Sequence, residues 1–184
     1  TDKRRERRAL VGTISSVGRL LTKLDAEPRL FRMELPPQGP NGEELPTAIY
    51  QVLDRVKSEI PAPNQLTRQT VPTVLAQVTI FDADEASKEP AEIEVSALAG
   101  NDADTAIPLT KDAASDLVTW REATEEVEGW VPEETLALSW QWAFPPKTPI
   151  ALRRKLENER WDEVLGTVWP NQPLQGLGGR TPLE

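Results

Sequence analysis

The sequence predicts an α+β fold, and three patterns in it support this prediction. Apolar residues recur three and four positions apart in several stretches, as in amphipathic helices. Apolar and polar residues alternate in two stretches between positions 74 and 97, as in strands with one solvated face. All six tryptophans lie between positions 120 and 169. We therefore expect an N-terminal amphipathic helix, a central helix with an antiparallel β-hairpin, and a Trp-rich C-terminal half with one strand and closing helices.

The first predicted element is an amphipathic helix from Lys3 to Leu24. Its apolar residues are spaced by four, three, four and three positions, so that in a helix they form one stripe. Gly12 lowers the stability of such a helix by about 1 kcal/mol relative to Ala, and we therefore expect the helix to need a packing partner. The stripe consists of Leu10, Ile14, Val17, Leu21 and Leu24.

A Pro- and Gly-rich linker follows, and after it the stretch "TAIYQVLDRVKSEIP" is predicted to be a second helix. The next two stretches, "TVLAQVTIFD" and "AEIEVSALAG", change to a period of two and are rich in β-branched residues. They predict an antiparallel hairpin whose wet face carries the glutamates of the second strand. The helical face of "TAIYQVLDRVKSEIP" would consist of Ile49, Val52, Leu53, Val56 and Ile60.

The C-terminal half begins with "NDADTAIPL", which predicts a turn and a short extended piece, and "TKDAASDLVTWREATEEVEGW", which predicts a helix. Strict alternation from Leu136 to Phe144 predicts a strand, although Pro132 followed by two glutamates is also typical of a helix start. Thr148 and Pro149 suit the beginning of a last helix, which continues through "NERWDEVLGTVWP". The tryptophans are predicted to build an aromatic core, with a binding platform as the alternative.

Composition divides the chain into a basic amphipathic arm (residues 1–32), a linker (33–46), a single α+β domain (47–170) and an irregular Gly- and Pro-rich tail (171–184). The formal charge is −9, but residues 1–32 contain nine basic and four acidic residues, whereas residues 33–151 contain seven and 21. A basic arm on an acidic body can bind its own body or an external polyanion. The chain lacks a run of about 18 apolar residues, so we expect a soluble, cytoplasmic protein that does not insert into membranes.

The absence of two residue types restricts the chemistry. The chain contains no cysteine, which excludes disulfides and thiolate metal sites. It also contains no histidine, the usual general base and the commonest zinc ligand. The acidic stretches "FDADE" and "GNDADT" lack the spacing of a calcium loop and are predicted to be solvated turns. We therefore predict no catalytic residue, no cofactor and no metal ligand.

These patterns lead to three functional hypotheses. The first is a non-catalytic interaction or accessory module, part of a larger bacterial protein, that docks a protein partner or a second copy through the stripe of the N-terminal helix. The second is a nucleic-acid-associated protein that uses the "KRRERR" arm. The third is a carboxylate- or Mg²⁺-dependent enzyme. The nucleic-acid hypothesis depends on Arg4, Arg5, Arg7 and Arg8.

The tail "NQPLQGLGGRTPLE" resembles the end of the toxin-binding domain of some bacterial antitoxins. In those domains a Gly-Gly-Arg-Thr-Pro segment precedes a terminal helix. The resemblance covers about 14 of the 184 residues and assigns no functional residue.

Overall fold

A computed structural model describes residues 2–35, 45–86, 88–132 and 140–184. The chain divides into two compact units. The first, which we call the sheet unit, comprises Glu6–Lys57 and Val74–Glu126. The second, the aromatic unit, comprises Thr1–Arg5, Ser58–Thr73 and Val127–Glu184.

The described residues form seven strands and three helices, which confirms the predicted α+β class. The strands follow the order β2-β3-β4-β5-β1-β6, and β7 also pairs with β1. The strands are β1 (Asp2–Ile14), β2 (Leu30–Arg32), β3 (Ala48–Leu53), β4 (Val74–Phe81), β5 (Glu92–Leu98), β6 (Val118–Trp120) and β7 (Thr124–Pro132). The helices are α1 (Val17–Ala26), α2 (Asn101–Ala114) and α3 (Ile150–Glu163).

The core of the sheet unit lies between one face of the sheet and helices α1 and α2. Every second residue of β4 and β5 is buried, as the alternation in the sequence predicts, and the predicted antiparallel hairpin of these strands is confirmed. Helix α2 packs with small side chains, which allow its backbone to approach the sheet. The buried residues of the two helices are Leu20 and Leu24 of α1 and Ala103, Ala106, Ile107, Thr110 and Ala114 of α2.

The predicted N-terminal helix is wrong in its first half, because Asp2–Ile14 is strand β1 and the helix begins only at Val17. Leu10 and Ile14 are four positions apart, a spacing that places two residues on one face of a strand as well as of a helix. Strand β1 pairs with β5 along one edge and with β6 along the other. This pairing satisfies the backbone hydrogen-bonding groups of β1 on both edges and favours the strand over the helix.

The predicted central helix is also wrong, because Ala48–Leu53 is strand β3. The strand buries alternate residues up to Val52, but its register with β4 shifts between Val52 and Leu53, so that Leu53 is buried as well. Such a shift interrupts the period of two and leaves two adjacent buried residues, which resemble part of a helical face in the sequence.

The helix predicted at Thr110–Trp130 is wrong beyond Ala114, and so are the turn and the extended piece predicted before it. Helix α2 occupies Asn101–Ala114, where the sequence predicts a turn and an extended piece, and it contains Pro108 on its exposed side. Ser115, with a φ angle of 54°, ends the helix. Most of the predicted helix instead forms the 3₁₀ turn Ser115–Leu117 and strands β6 and β7.

The predicted last helix is confirmed as α3, which continues into a π-helical turn at Val164–Val168 and a 3₁₀ turn at Trp169–Asn171. Residues 136–139 of the strand predicted from Leu136 to Phe144 lie outside the described residues, and the prediction is wrong for residues 140–144, which form no strand. Within the described part, Trp142 forms a single antiparallel bridge with Thr73.

Gly12 lies at a close approach of two strands. It is the cross-strand partner of Trp120, whose indole lies over the glycine. A Cβ atom at this position would collide with Cγ1 of Val118 and lie 2.9 Å from Cε3 of Trp120. Glycine is therefore required here for β6 to pack on β1.

Tyr50, the only tyrosine of the chain, is fully buried at the end of α1. Its hydroxyl donates a hydrogen bond of 2.8 Å to Oδ1 of Asp25. The Arg32 guanidinium lies 5.9 Å from the Tyr50 ring centroid and 3.4 Å from the Asp25 carboxylate. Burial and the hydrogen bond to Asp25 raise the pKa of Tyr50 well above its ordinary value.

We expect Tyr50 to make the protein less stable as the pH rises above about 10. The unfolded chain releases the phenolic proton near the ordinary pKa, whereas the folded chain retains it, so the stabilising contribution exists below that pH and is lost above it. The slope of the free energy of unfolding between about pH 9 and pH 11 measures this effect. Tyr50→Phe should reduce the slope, and an unchanged slope would contradict the prediction.

Candidate docking surface

The sheet has a second face, which we call the open face. Helices α1 and α2 pack on the inner face, and successive residues of a strand point to opposite sides. The open face therefore receives the residues that alternate with the buried ones. On β4 these include the exposed Gln77 and Phe81, and on β5 they include the half-buried Glu92 and Glu94.

Three apolar residues on three neighbouring strands, Met33, Ile49 and Phe81, lie on this face, and we call them the open-face patch. The backbone N–H of Met33 donates to the carbonyl of Ile49 at 2.8 Å, so Met33 continues the pairing of β2 with β3. Ile49 pairs with Thr79, and Phe81 follows Thr79 by two positions on the same face. Met33 is 37% exposed and Phe81 is 43% exposed. Among the described residues of the sheet unit, no other large hydrophobic side chain is exposed.

The loop that follows Phe81 is strongly acidic. The stretch from Phe81 to Glu94 contains six acidic residues and one lysine. Within it, the carboxylates of Asp82 and Asp84 accept 2.8 Å hydrogen bonds from the backbone N–H groups of Ala83 and Ala86. The backbones of Asp84 and Glu89 bond reciprocally, which closes the loop at the end of the hairpin.

Carboxylates also border the open-face patch on the sheet itself. Glu94 of β5 lies between Thr79 of β4 and Val11 of β1. Glu92 is the partner of Phe81, and its carboxylate forms an ion pair with Arg121. Ile49, Thr79 and Glu94 therefore form one row across three adjacent strands. The first residue of the row is apolar, the second is small and polar, and the third is acidic.

The structure places the predicted docking stripe in the core of the sheet unit. Leu10, Ile14 and Leu24 are buried, and Val17 and Leu21 pack against the same core. Leu10 and Ile14 belong to strand β1 and the other three to helix α1, so the five residues do not form one exposed helical face. Their burial stabilises the sheet unit.

The arginines of the basic arm bind acidic and polar groups of this chain. In the sheet unit, Arg8 lies 2.6 Å from both Asp104 and Glu125, and these hydrogen bonds raise its pKa further. Arg7 donates a hydrogen bond of 3.2 Å to Oγ of Ser96. In the aromatic unit, Arg5 Nε lies 2.9 Å from Glu128 Oε2. Arg4 belongs to β1, and its side chain lies outside the described part of the structure.

In the aromatic unit, four aromatic rings form one continuous cluster. Trp140 contacts Trp161 edge-on with 5.0 Å between ring centroids, and it lies 6.1 Å from Trp142. Trp142 in turn contacts Phe144 at 5.9 Å. The partly buried side chains of Trp142 and Phe144 pack against a small core, but Trp130 and Trp161 are exposed, so the six tryptophans do not form the predicted common core. The small core consists of Leu66, Val71 and Leu156.

An ion-pair junction joins the Ser58–Thr73 segment to α3 within the aromatic unit. Oε2 of Glu163 accepts hydrogen bonds from Arg68 at 2.6 Å and from Arg160 at 2.7 Å. Arg160 and Arg68 together lower the pKa of the Glu163 carboxyl. Arg160 also lies 5.4 Å over the ring of Trp140, so the junction holds one side of the aromatic cluster.

A second set of exposed apolar residues lies at the C-terminal end of α3. Trp161, Leu165 and Val168 are exposed and are spaced by four and three positions. Arg154 and Glu157 precede Trp161 by seven and four positions, so they lie on the same side of the helix. Because these neighbours have opposite charges, this surface does not indicate the chemistry of a partner. The open-face patch has acidic surroundings and does indicate the chemistry of a partner.

The sequence identifies part of the open-face patch. The alternation along β4 places Phe81 on the wet face of the predicted hairpin, where the structure has it. Ile49 is missed because it is assigned to a helix, and Met33 because it is assigned to the linker. The β-branched and aromatic content of Ile49, Tyr50 and Val52 is the signal that favours a strand here.

The described residues contain no group of three or more acidic side chains placed to hold a metal ion. In the same ranges, no helix has both the length and the apolar character needed to cross a bilayer. Neither a protein-family model, nor a curated protein, nor a solved structure matches this chain.

Proposed function

We propose that this protein is a non-catalytic protein–protein interaction module, part of a larger bacterial cytoplasmic protein, and that it docks a partner protein through the open-face patch. One observation carries the proposal: the two exposed large hydrophobic residues of the described sheet unit, Met33 and Phe81, lie on the same face beside Ile49. Clustered apolar side chains on a surface mark interaction sites more often than scattered ones do. Met and aromatic residues are also enriched at protein interfaces.

The proposal keeps the interaction module predicted from the sequence and changes its surface. The stripe from Leu10 to Leu24 packs on the core of its own unit, so its use for docking would require the sheet unit to open. The open-face patch requires no such rearrangement.

Nucleic-acid association through the basic arm has less support. Phosphate binding needs guanidinium groups that can displace the counterions of the nucleic acid, whereas Arg5 and Arg8 bind carboxylates of this chain. Salt-sensitive binding of a duplex oligonucleotide, lost when the four arginines of the arm are replaced by Ala, would favour this alternative. Hydrolytic activity that depends on Mg²⁺ would favour the third alternative, an enzyme.

The absence of cysteine allows a direct test of docking, since one introduced cysteine carries a photo-crosslinker at one defined position. We expect a label at Thr79→Cys, a half-buried position of the open face between Ile49 and Glu94, to capture a protein from native cell extract. The same label at Ile150→Cys, an exposed aliphatic position of the aromatic unit, should not capture it.

The captured protein, once purified, should bind the unlabelled chain, and Phe81→Ser should weaken this binding about tenfold. Ile150→Ser serves as the matched control and should leave the affinity unchanged. Equal capture at both positions, or an affinity indifferent to Phe81→Ser, would show that the patch is not the docking surface.

A further inference from the structure

The charge and the dimensions of the open-face patch also indicate the class of its partner, an inference that rests on the proposed function above. We propose that the patch binds a basic amphipathic helix of the partner protein. The apolar side of this helix lies on Met33, Ile49 and Phe81, and its Lys or Arg side chains face the neighbouring carboxylates.

The dimensions of the patch suit a helix that lies across the strands. Met33, Ile49 and Phe81 come from three successive positions in the strand order. Neighbouring strands are about 4.8 Å apart, and Phe81 lies two residues, about 7 Å, further along β4 than Thr79, the partner of Ile49, so the patch extends diagonally over about 12 Å. Two turns of an α-helix rise about 11 Å. Side chains at positions i, i+3 or i+4, and i+7 of one helix therefore cover all three strands.

The charges next to the patch determine the sign of the charge expected on the partner helix. Glu94 lies on the open face one strand beyond Thr79, and the exposed acidic loop begins directly after Phe81. Six acidic residues and one lysine lie between Phe81 and Glu94, and although one of them, Glu92, is paired with Arg121, this border retains an excess of negative charge. Basic side chains on the partner would be attracted during encounter and in the bound state.

The same charges argue against two other occupants. Two copies of this chain joined through the patch would bring their acidic loops together, and the juxtaposition of like charges opposes such a dimer. An acidic helix would meet the same repulsion. The positive charge expected of the partner therefore follows from the patch and its border together.

A titration with designed peptides tests the inference. The probe is a helical peptide of leucine and lysine, about two heptads long, with leucines three and four positions apart. The comparison peptide has glutamate at every lysine position. Met33 is the only methionine of the chain, so a ¹³C-labelled methionine methyl group provides a single NMR resonance within the patch.

We expect the leucine–lysine peptide to shift the Met33 methyl resonance in a saturable manner and the leucine–glutamate peptide to leave it unchanged. Phe81→Ser should weaken the binding about tenfold. Glu94→Gln should weaken it about threefold at low salt, and this difference should disappear at high salt. Ile150→Ser should bind the peptide as the unchanged protein does.

Other outcomes would overturn the inference in distinguishable ways. An equal shift with both peptides would remove the requirement for positive charge and leave docking through the patch intact. No shift with the basic peptide, combined with capture of a protein by the label at Thr79→Cys in the crosslinking experiment, would reject the helix and keep the proposed function. Binding that leaves Met33 unaffected would place the peptide elsewhere, and a concentration-dependent shift without peptide would identify a second copy as the occupant.

Discussion

Leu24→Ala is expected to lower the free energy of unfolding by about 2–5 kcal/mol. The Leu24 side chain is 0% exposed and belongs to the core between α1 and the sheet. Truncation removes its packing contacts and leaves a cavity that the surrounding strands fill only in part. Denaturant unfolding followed by circular dichroism measures the loss.

The size of this effect distinguishes a core residue from a docking residue. A leucine on a free helical stripe would change stability by less than about 0.5 kcal/mol and would act on partner binding instead. Arg19→Ala, at an exposed position of the same helix, is the matched control and should stay within that range. A small effect of Leu24→Ala would restore the N-terminal stripe as a candidate docking surface.

Gly12→Ala is expected to destabilise the sheet unit by about 1–3 kcal/mol. The added methyl group would collide with Val118 and crowd the indole of Trp120, so β6 must move away from β1. Trp120 is the only tryptophan of the sheet unit. A Trp120→Phe variant, made with and without Gly12→Ala, shows how much of the destabilisation comes from contact with the indole ring. The unfolding midpoint in denaturant is the measured quantity.

Gly18→Ala provides the opposite control for this substitution. Gly18 lies in helix α1, and no atom is within 4 Å of an added Cβ. Alanine is favoured over glycine in helices by about 1 kcal/mol, so this variant should be more stable than the unchanged protein. Equal midpoints for the two glycine variants would mean that β6 does not pack closely on β1.

The sequence predicts those elements whose local pattern and tertiary environment agree. The β4–β5 hairpin has a period of two because one of its faces is buried and the other is open. Helix α3 begins directly after Pro149, which cannot occupy a helix interior without loss of a hydrogen bond. In both cases neighbouring residues suffice to select the structure.

The elements that the sequence does not predict depend on partners distant in the chain. Strand β1 is selected by β5 and β6, which lie about 80 to 110 positions away. Strand β3 buries Val52 and Leu53 in succession where its register with β4 shifts, which hides its period, and α2 contains Pro108 in its interior. The open-face patch joins residues from β2, β3 and β4, so it becomes visible only when the strand order is known.

The segment Ser58–Thr73 belongs to the aromatic unit, although strands of the sheet unit flank it on both sides in the chain. No uninterrupted stretch of a gene therefore encodes either unit alone, and recombination at a single site cannot transfer one without damaging the other. The order of translation is affected as well. Leu66 and Val71 leave the ribosome long before Leu156, the residue with which they form a core. Until that residue has been synthesised, the nascent chain must carry these side chains unburied, where a chaperone can bind them.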